Sequence, residues 1–184
     1  YYLGKAYHQK GKILEMSQAF DKCLELGADA TMKTEIKNIK TREWGNSYNN
    51  AIKLYNAANK TEDKEKQIKM REEVAQKLTV AKICNPDFPM SYILLGKTEA
   101  QLGKKAEGDK IVEEAAVKFA DKDTVLFNIG NYYLEQGNED KALTYYEKAN
   151  KVNPSNSDVV LALSDIYIGK KEFEKAQKHL AVLL

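Results

Sequence analysis

Similar residues recur every 34 positions over much of this chain of 184 residues. Gly96, Gly130 and Ser164 are separated by this step, and an aliphatic residue precedes each of them. Other positions keep the same step or its double: Gly108, Ala142 and Ala176; Tyr133 and Tyr167; Ala81, Ala115, Ala149 and Leu183; Pro86 and Pro154. A period of this length predicts an array of small structural units that stack on one another.

Within one period the pattern predicts two helices joined by a tight turn. Apolar residues recur at helical spacing in two runs, Leu126, Ile129, Tyr133 and then Ala142, Tyr146, Ala149. Between such runs stand the dipeptides Gly103-Lys104, Gly137-Asn138 and Gly169-Lys170, where glycine ends a helix cheaply in a left-handed conformation. Such a hairpin cannot bury both of its apolar faces alone, so it must pack against neighbouring hairpins.

The stretch Leu126-x-x-Ile129-Gly130-x-x-Tyr133, followed by Gly137, Ala142, Tyr146, Ala149 and Pro154, resembles a tetratricopeptide repeat. It departs from that family's pattern at Leu126, where tryptophan is often found. Elsewhere Glu99 replaces the aromatic residue and Ser164 replaces the glycine. The resemblance implies an all-α fold, a right-handed α-solenoid of antiparallel helix hairpins.

We expect one such solenoid over residues 1–184. Its predicted units are a partial first repeat at 1–28, an extended repeat with long helices at 29–88, regular repeats at 89–122 and 123–156, and a partial last repeat at 157–184.

The extended repeat arises because Gly4 and Gly96 are much further apart in the sequence than two periods allow. Trp44-Gly45-x-x-Tyr48 resembles the core of a first helix, and Gly45 is the only helix breaker between residues 31 and 59. We therefore predict one oversized hairpin with about eight extra residues per helix, its second helix capped by Thr61 and running to Cys84. Three shortened repeats are the alternative.

Composition and chemistry argue against catalysis. The 29 basic and 27 acidic residues alternate along the chain, which predicts solvated helix faces and no nucleic-acid partner. His8 and His179 lack metal-ligand spacing, and Cys23 and Cys84 are interpreted as free thiols. The sequence shows no nucleophile paired with a general base, and it shows no glycine-rich phosphate-binding loop. We predict no enzyme activity, no metal and no cofactor.

The resemblance implies a concave surface lined mainly by the first helix of each hairpin, and hence a protein-interaction scaffold that binds a partner peptide or helix there. The candidate groove residues are Ile93, Lys97, Phe127, Asn128, Asn131, Leu161 and Asp165. The alternative is that Ile93 and Phe127 pack between hairpins and that the asparagines are solvated. Recognition of a chaperone's C-terminal carboxylate is disfavoured, since only Asn128 matches the family's clamp.

Two further roles stay open, a structural or oligomerisation module and a regulatory appendage of a larger protein. The apolar end, Ala181-Val182-Leu183-Leu184, predicts either further repeats or self-association. No stretch approaches the length of apolar sequence that spans a bilayer, so we expect no membrane insertion. The segment 44–56 resembles repeat proteins of bacterial cell envelopes, which favours the periplasm over the cytoplasm only slightly.

Overall fold

The computed structural model describes residues 1–183, and these residues form helices and no strand. The all-α prediction is therefore confirmed for the described part of the chain. Leu184, one of the residues of the predicted apolar end, lies outside it. The helices are α1 (Tyr2–Gln9), α2 (Ile13–Glu25), α3 (Ala30–Ala58), α4 (Lys64–Cys84), α5 (Pro89–Gln101), α6 (Lys105–Lys118), α7 (Asp123–Glu135), α8 (Glu139–Val152), α9 (Ser157–Gly169) and α10 (Phe173–Leu180), followed by a 3₁₀ turn at Ala181–Leu183.

The chain divides into two compact units, Tyr1–Gly108 (unit 1) and Asp109–Leu184 (unit 2). In unit 1, α1 packs on α2, the long helices α3 and α4 pair with each other, and α4 contacts α5. In unit 2, α7 pairs with α8, α8 contacts α9, and α9 pairs with α10.

Turn chemistry sets the hairpins at the predicted spacing. Gly103 and Gly137 have φ values of +81° and +72°, in the left-handed region that glycine enters at little cost. In the last hairpin Gly169 still belongs to α9, and the left-handed residue is Lys171, with φ of +61°. The predicted break at Gly169-Lys170 is present, because α9 ends at Gly169, but the expectation that a glycine takes the left-handed conformation there was wrong. The reason is geometric, since position 171 is the equivalent of positions 103 and 137 and the turn keeps its place without a glycine.

Two hairpins pack a glycine of the first helix directly against an aromatic ring of the second. A Cβ atom added to Gly130 would lie 2.3 Å from the ring of Tyr146 on α8, and one added to Gly4 would lie 2.4 Å from Phe20 on α2. In each pair the ring belongs to the second helix of the same hairpin, and Tyr146 and Phe20 have no exposed surface. Gly130 and Gly4 are therefore required by contact, not by backbone conformation.

The oversized hairpin is present, and its details differ from the prediction. α3 has 29 residues and α4 has 21, whereas α7 and α8 have 13 and 14, so the extra length is unevenly divided. Because α3 runs unbroken from Ala30 to Ala58, the alternative of three shortened repeats is wrong. The cap of α4 is also corrected. It is Asp63, whose carboxylate accepts from the backbone N–H of Lys66, and not Thr61.

The segment around Gly45 does not pack as its resemblance to a first-helix core suggests. Apart from its chain neighbours and the backbone of its own helix, no atom of residues 1–183 lies within 4 Å of a Cβ placed on Gly45. The neighbouring aromatic residues pack instead against Phe88, whose ring centroid is 5.1 Å from that of Trp44 and 4.9 Å from that of Tyr48. An aromatic cluster takes the place of a close helix approach here.

Successive hairpins of unit 2 are joined by a polar contact that recurs with the sequence period. Tyr133 donates to Glu113 Oε1 at 2.9 Å, and Tyr167 donates to Glu147 Oε1 at 2.8 Å. Lys141 Nζ lies 2.8 Å from Glu113 Oε1, and hydrogen bonds from Lys141 and then Tyr133 lower the pKa of the Glu113 carboxyl. The glutamate and the tyrosine are equally far apart in the sequence in both cases, so the repeat of this pair is a signal already present in the sequence.

Burial raises the pKa of these tyrosines. The pKa of Tyr167 rises to about 12, first because the ring is buried and second because its hydroxyl bonds to Glu147. The pKa of Tyr133 rises through its burial and through its hydrogen bond to Glu113. Both rings are buried, so a phenolate there would lack water to solvate it.

The first prediction concerns the glycine contact. We expect Gly130→Ala to destabilise the protein by about 1–3 kcal/mol, because the new methyl group overlaps the Tyr146 ring. Gly45→Ala is the matched control. It lies in a helix with open space around it and should stabilise by about 0.5–1 kcal/mol. Urea unfolding followed by circular dichroism measures both, and equal effects of the two changes would show that the Tyr146 ring does not restrict position 130.

The second prediction concerns alkaline pH. In the unfolded chain tyrosine has a pKa of about 10. Below that pH both states hold the phenolic protons and stability is unaffected. As pH rises above it, the unfolded state releases protons that folded Tyr133 and Tyr167 retain, so the free energy of unfolding must fall. Urea unfolding at several pH values between 8 and 11 measures this slope.

Replacing Tyr133 and Tyr167 by phenylalanine should make that slope shallower. Tyr2→Phe is the matched control, since Tyr2 is 79% exposed and should leave the slope unchanged. A double variant with the wild-type slope would contradict the assignment.

Candidate functional site

Among the candidate site residues of unit 2, Asn131 on α7 is held by a side chain of the neighbouring helix. Tyr146 on α8 donates a hydrogen bond to Asn131 Oδ1 at 2.6 Å. Since Tyr146 is fully buried and its pKa is raised to about 12 by that burial, its hydroxyl stays a donor at neutral pH. The bond fixes the Asn131 carboxamide, and among residues 1–183 the structure shows no hydrogen bond from its Nδ2, which can therefore donate to a ligand.

Phe127 and Asn128 lie one turn before Asn131 on the same helix. The ring centroid of Phe127 is 5.6 Å from that of Tyr146, and Phe127 remains half-buried. It therefore both supports Tyr146 and keeps part of its ring open. Asn128 Nδ2 donates to the backbone oxygen of Thr124 at 2.7 Å, so part of its hydrogen-bonding capacity is already used within α7.

On α9 the equivalent positions are occupied by Leu161 and Asp165, which lie one period after Phe127 and Asn131 respectively. Leu161 is 48% exposed and Asp165 is exposed. The start of α9 is held by Asn156, whose Oδ1 accepts from the backbone N–H groups of Asp158 and Val159. Asn156 and Asn153 also donate to Asp123 Oδ2, at 2.6 and 2.9 Å, which ties the starts of α9 and α7 together and lowers the pKa of Asp123.

Unit 1 contains the other two candidates, Ile93 and Lys97 on α5. Ile93 is only 6% exposed and packs in the core, so it offers almost no surface to a ligand. Lys97 is half-buried and makes contacts of its own. Buried Ile93 differs from half-buried Phe127 and exposed Leu161, although all three occupy one repeat position.

The histidine and cysteine side chains are the groups that could act as bases or nucleophiles, and most of them contact neighbouring residues or are buried. His8 Nε2 lies 3.0 Å from Glu43 Oε1, and the ring of His179 stacks on Tyr167 with a pKa lowered mainly by burial. Both cysteines are free, and burial raises the pKa of Cys84 to about 11, which leaves it a poor nucleophile. Within residues 1–183 no group of three or more histidine, cysteine, aspartate or glutamate side chains is placed to hold a metal ion.

No helix in the described part of the chain combines the length and the apolar character needed to cross a bilayer.

Two family models, both described as tetratricopeptide repeat, match the chain over residues 1–28 and 133–184. Among solved structures, TTC0263, a thermophilic TPR protein in Thermus thermophilus, is similar with a TM-score of 0.61 and 18% identity, covering 91% of this chain and 96% of that chain. MamA 41-end from Desulfovibrio magneticus RS-1 is similar with a TM-score of 0.55 and 14% identity, covering 93% of each chain. Identities this low show a shared fold only.

The family matches cover the first hairpin and the last hairpin together with the end of the one before it, and the observed helices of unit 2 recur with the period of the sequence. Residues 1–28 and 133–184 of this chain therefore match tetratricopeptide repeats.

Proposed function

We propose that this protein is a non-catalytic scaffold whose unit 2 binds an extended peptide segment of another protein. Tetratricopeptide repeat proteins are in general non-catalytic interaction scaffolds, and the matches at residues 1–28 and 133–184 support this general role. The finer proposal concerns which residues make the contact. The observation that carries it is the fixed carboxamide of Asn131.

A backbone-binding asparagine must present its donors in one orientation. The hydrogen bond from Tyr146 fixes Asn131 Oδ1 and leaves Nδ2 as the end of the carboxamide that can donate to a ligand. A carboxamide held in this way loses little side-chain entropy when it donates to the backbone carbonyl of a peptide. Asn128, whose amide is partly used inside α7, supports this contact less.

The apolar part of the contact would come from Phe127 and Leu161. Each keeps exposed surface at an equivalent position of a first helix. Partly exposed aromatic and aliphatic side chains beside a fixed polar group are typical of peptide anchors. Asp165, exposed on α9, would favour a peptide with a basic residue at the corresponding position.

A single substitution separates the ligand contact from the internal one. Asn131→Asp keeps the oxygen that accepts from Tyr146 and removes both N–H donors. We expect peptides enriched from a displayed random library on the wild-type protein to bind the variant about tenfold more weakly or worse, because a donor is lost and a charge faces the peptide carbonyl. Fluorescence anisotropy with labelled peptides measures this.

Asn49→Asp is the matched control, since it makes the same charge change at an exposed position of α3. Phe127→Ala tests the apolar contact. Enriched peptides that bind all three variants as tightly as the wild type would rule out this site.

A structural module that assembles with copies of itself is the second candidate. The observation that supports this candidate is an apolar cleft of about 330 Å³ in unit 2. The cleft is lined mostly by Ile168, Phe173, Ala176 and Leu180. Phe173 is 63% exposed and Ile168 47%. A regulatory appendage of a larger protein is compatible with either role.

Light scattering coupled to gel filtration decides between these candidates. If the apolar cleft mediates self-association, the wild-type protein at high concentration should be a dimer or larger and Phe173→Ser should be a monomer. A monomeric wild type would remove this candidate and leave the peptide-binding proposal standing.

A deletion of residues 49–72 tests whether the long hairpin binds the partner instead. If this deletion abolishes binding while the variants of α7 still bind, the binding surface belongs to the long hairpin.

A further inference from the structure

A polar cleft of about 420 Å³ opens in unit 1 between α4 and the end of α5. Its polar lining consists of Glu72, Gln76, Thr79, Glu99 and Lys104, and Ala75 and Leu102 add apolar surface. All of these residues belong to unit 1, and none of them was among the groove candidates.

The repeat explains why the cleft exists. Glu99 lies one period before Tyr133, and Thr79 lies one period before Glu113. In unit 2 the Tyr133 hydroxyl donates to the Glu113 carboxylate. In unit 1 Glu99 takes the place of Tyr133 and Thr79 takes the place of Glu113, so this contact lacks an aromatic ring. Its carboxylate is therefore on the first helix of a hairpin, α5, and no longer on the second helix of the preceding one.

The Glu99 carboxylate is poorly satisfied. Its side chain is only 14% exposed, and Oε2 is buried without a hydrogen-bond partner among the described residues. Lys104 Nζ lies 3.3 Å from this oxygen, at ion-pair distance, but the contact does not have hydrogen-bond geometry. The Lys104 side chain is 62% exposed, so it can move away at little cost. A buried carboxylate in this position favours a cation that can donate to it directly.

We propose that the cleft binds the guanidinium group of an arginine side chain from a partner protein. The planar guanidinium can donate two parallel hydrogen bonds to the Glu99 carboxylate, which a lysine ammonium cannot match. Glu72 at the exposed side adds a second negative charge, and Ala75 and Leu102 can contact the aliphatic stem of the arginine. The inference rests on the proposed scaffold function and adds the chemistry of one partner residue.

Nuclear magnetic resonance of the full chain with a short peptide provides the test. The probe is acetyl-Gly-Arg-Gly-amide, compared with the same peptide carrying citrulline, which has the shape of arginine without its charge, or lysine. We expect the arginine peptide to shift the amide signals of residues 76–79 and 99–104, with binding at least about tenfold weaker for citrulline and weaker for lysine. Equal shifts with citrulline, or none with arginine, would show a solvent-filled cleft only, and equal binding of lysine would overturn the choice of arginine.

Two substitutions should act in opposite directions. Glu99→Gln has the same shape and should weaken the arginine peptide about tenfold or more, whereas Lys104→Met removes a competing cation and should strengthen it. Glu107→Gln, exposed on α6, makes the same charge change as Glu99→Gln and should have no effect. Thermal unfolding checks that Glu99→Gln is folded. A Lys104→Met variant that binds the peptide more weakly than the wild type would overturn the proposal.

Failure here is distinguishable from failure of the proposed function. Asn131→Asp lies in unit 2 and should leave arginine binding unchanged. Library peptides that bind through Asn131, together with an arginine peptide that does not bind, would contradict this inference and leave the scaffold proposal intact.

Discussion

The contact between a glycine on one helix and an aromatic ring on the next underlies two hairpins of this protein, α1–α2 and α7–α8. Gly130 faces Tyr146 and Gly4 faces Phe20 at distances that leave no room for a methyl group. Because a protein interior is close-packed, the ring fills the space that the missing side chain leaves, and the two helices lock at one separation. Each hairpin still has an uncovered face, which is why the fold is built from neighbouring hairpins.

This packing also prepares the candidate binding residue. Tyr146 lies over Gly130, and its hydroxyl donates a hydrogen bond to Asn131. The ring contributes to the core, and the hydroxyl orients the half-buried carboxamide of Asn131. A larger residue at position 130 would displace the ring, and with it the support for Asn131. Stability and the proposed binding contact therefore depend on the same side chain.

Departures from the repeat are as informative as its regular positions. Ile93, Phe127 and Leu161 occupy equivalent positions, yet their exposure rises from 6% at Ile93 to 48% at Leu161. Glu99 stands where Tyr133 and Tyr167 stand, and a polar cleft appears in place of a buried hydrogen bond. Around Gly45 a cluster of aromatic rings replaces the close approach that glycine permits elsewhere. Such changes leave the number and the register of the repeats intact, because in a repeat protein each unit contacts only its neighbours.

The sequence by itself determined the helices, their pairing into hairpins and the oversized hairpin at residues 30–84, because helix periodicity and turn chemistry act over a few residues and the period of the sequence repeats them. It also placed Asn131 and Phe127 among the candidates. Only the tertiary structure decided that Asp63 and not Thr61 caps α4, that Gly45 faces open space, that Ile93 is buried and that Glu99 borders a cleft. These outcomes depend on distances between atoms of different helices. Side-chain packing sets those distances, and the spacing of residues along the chain does not encode them.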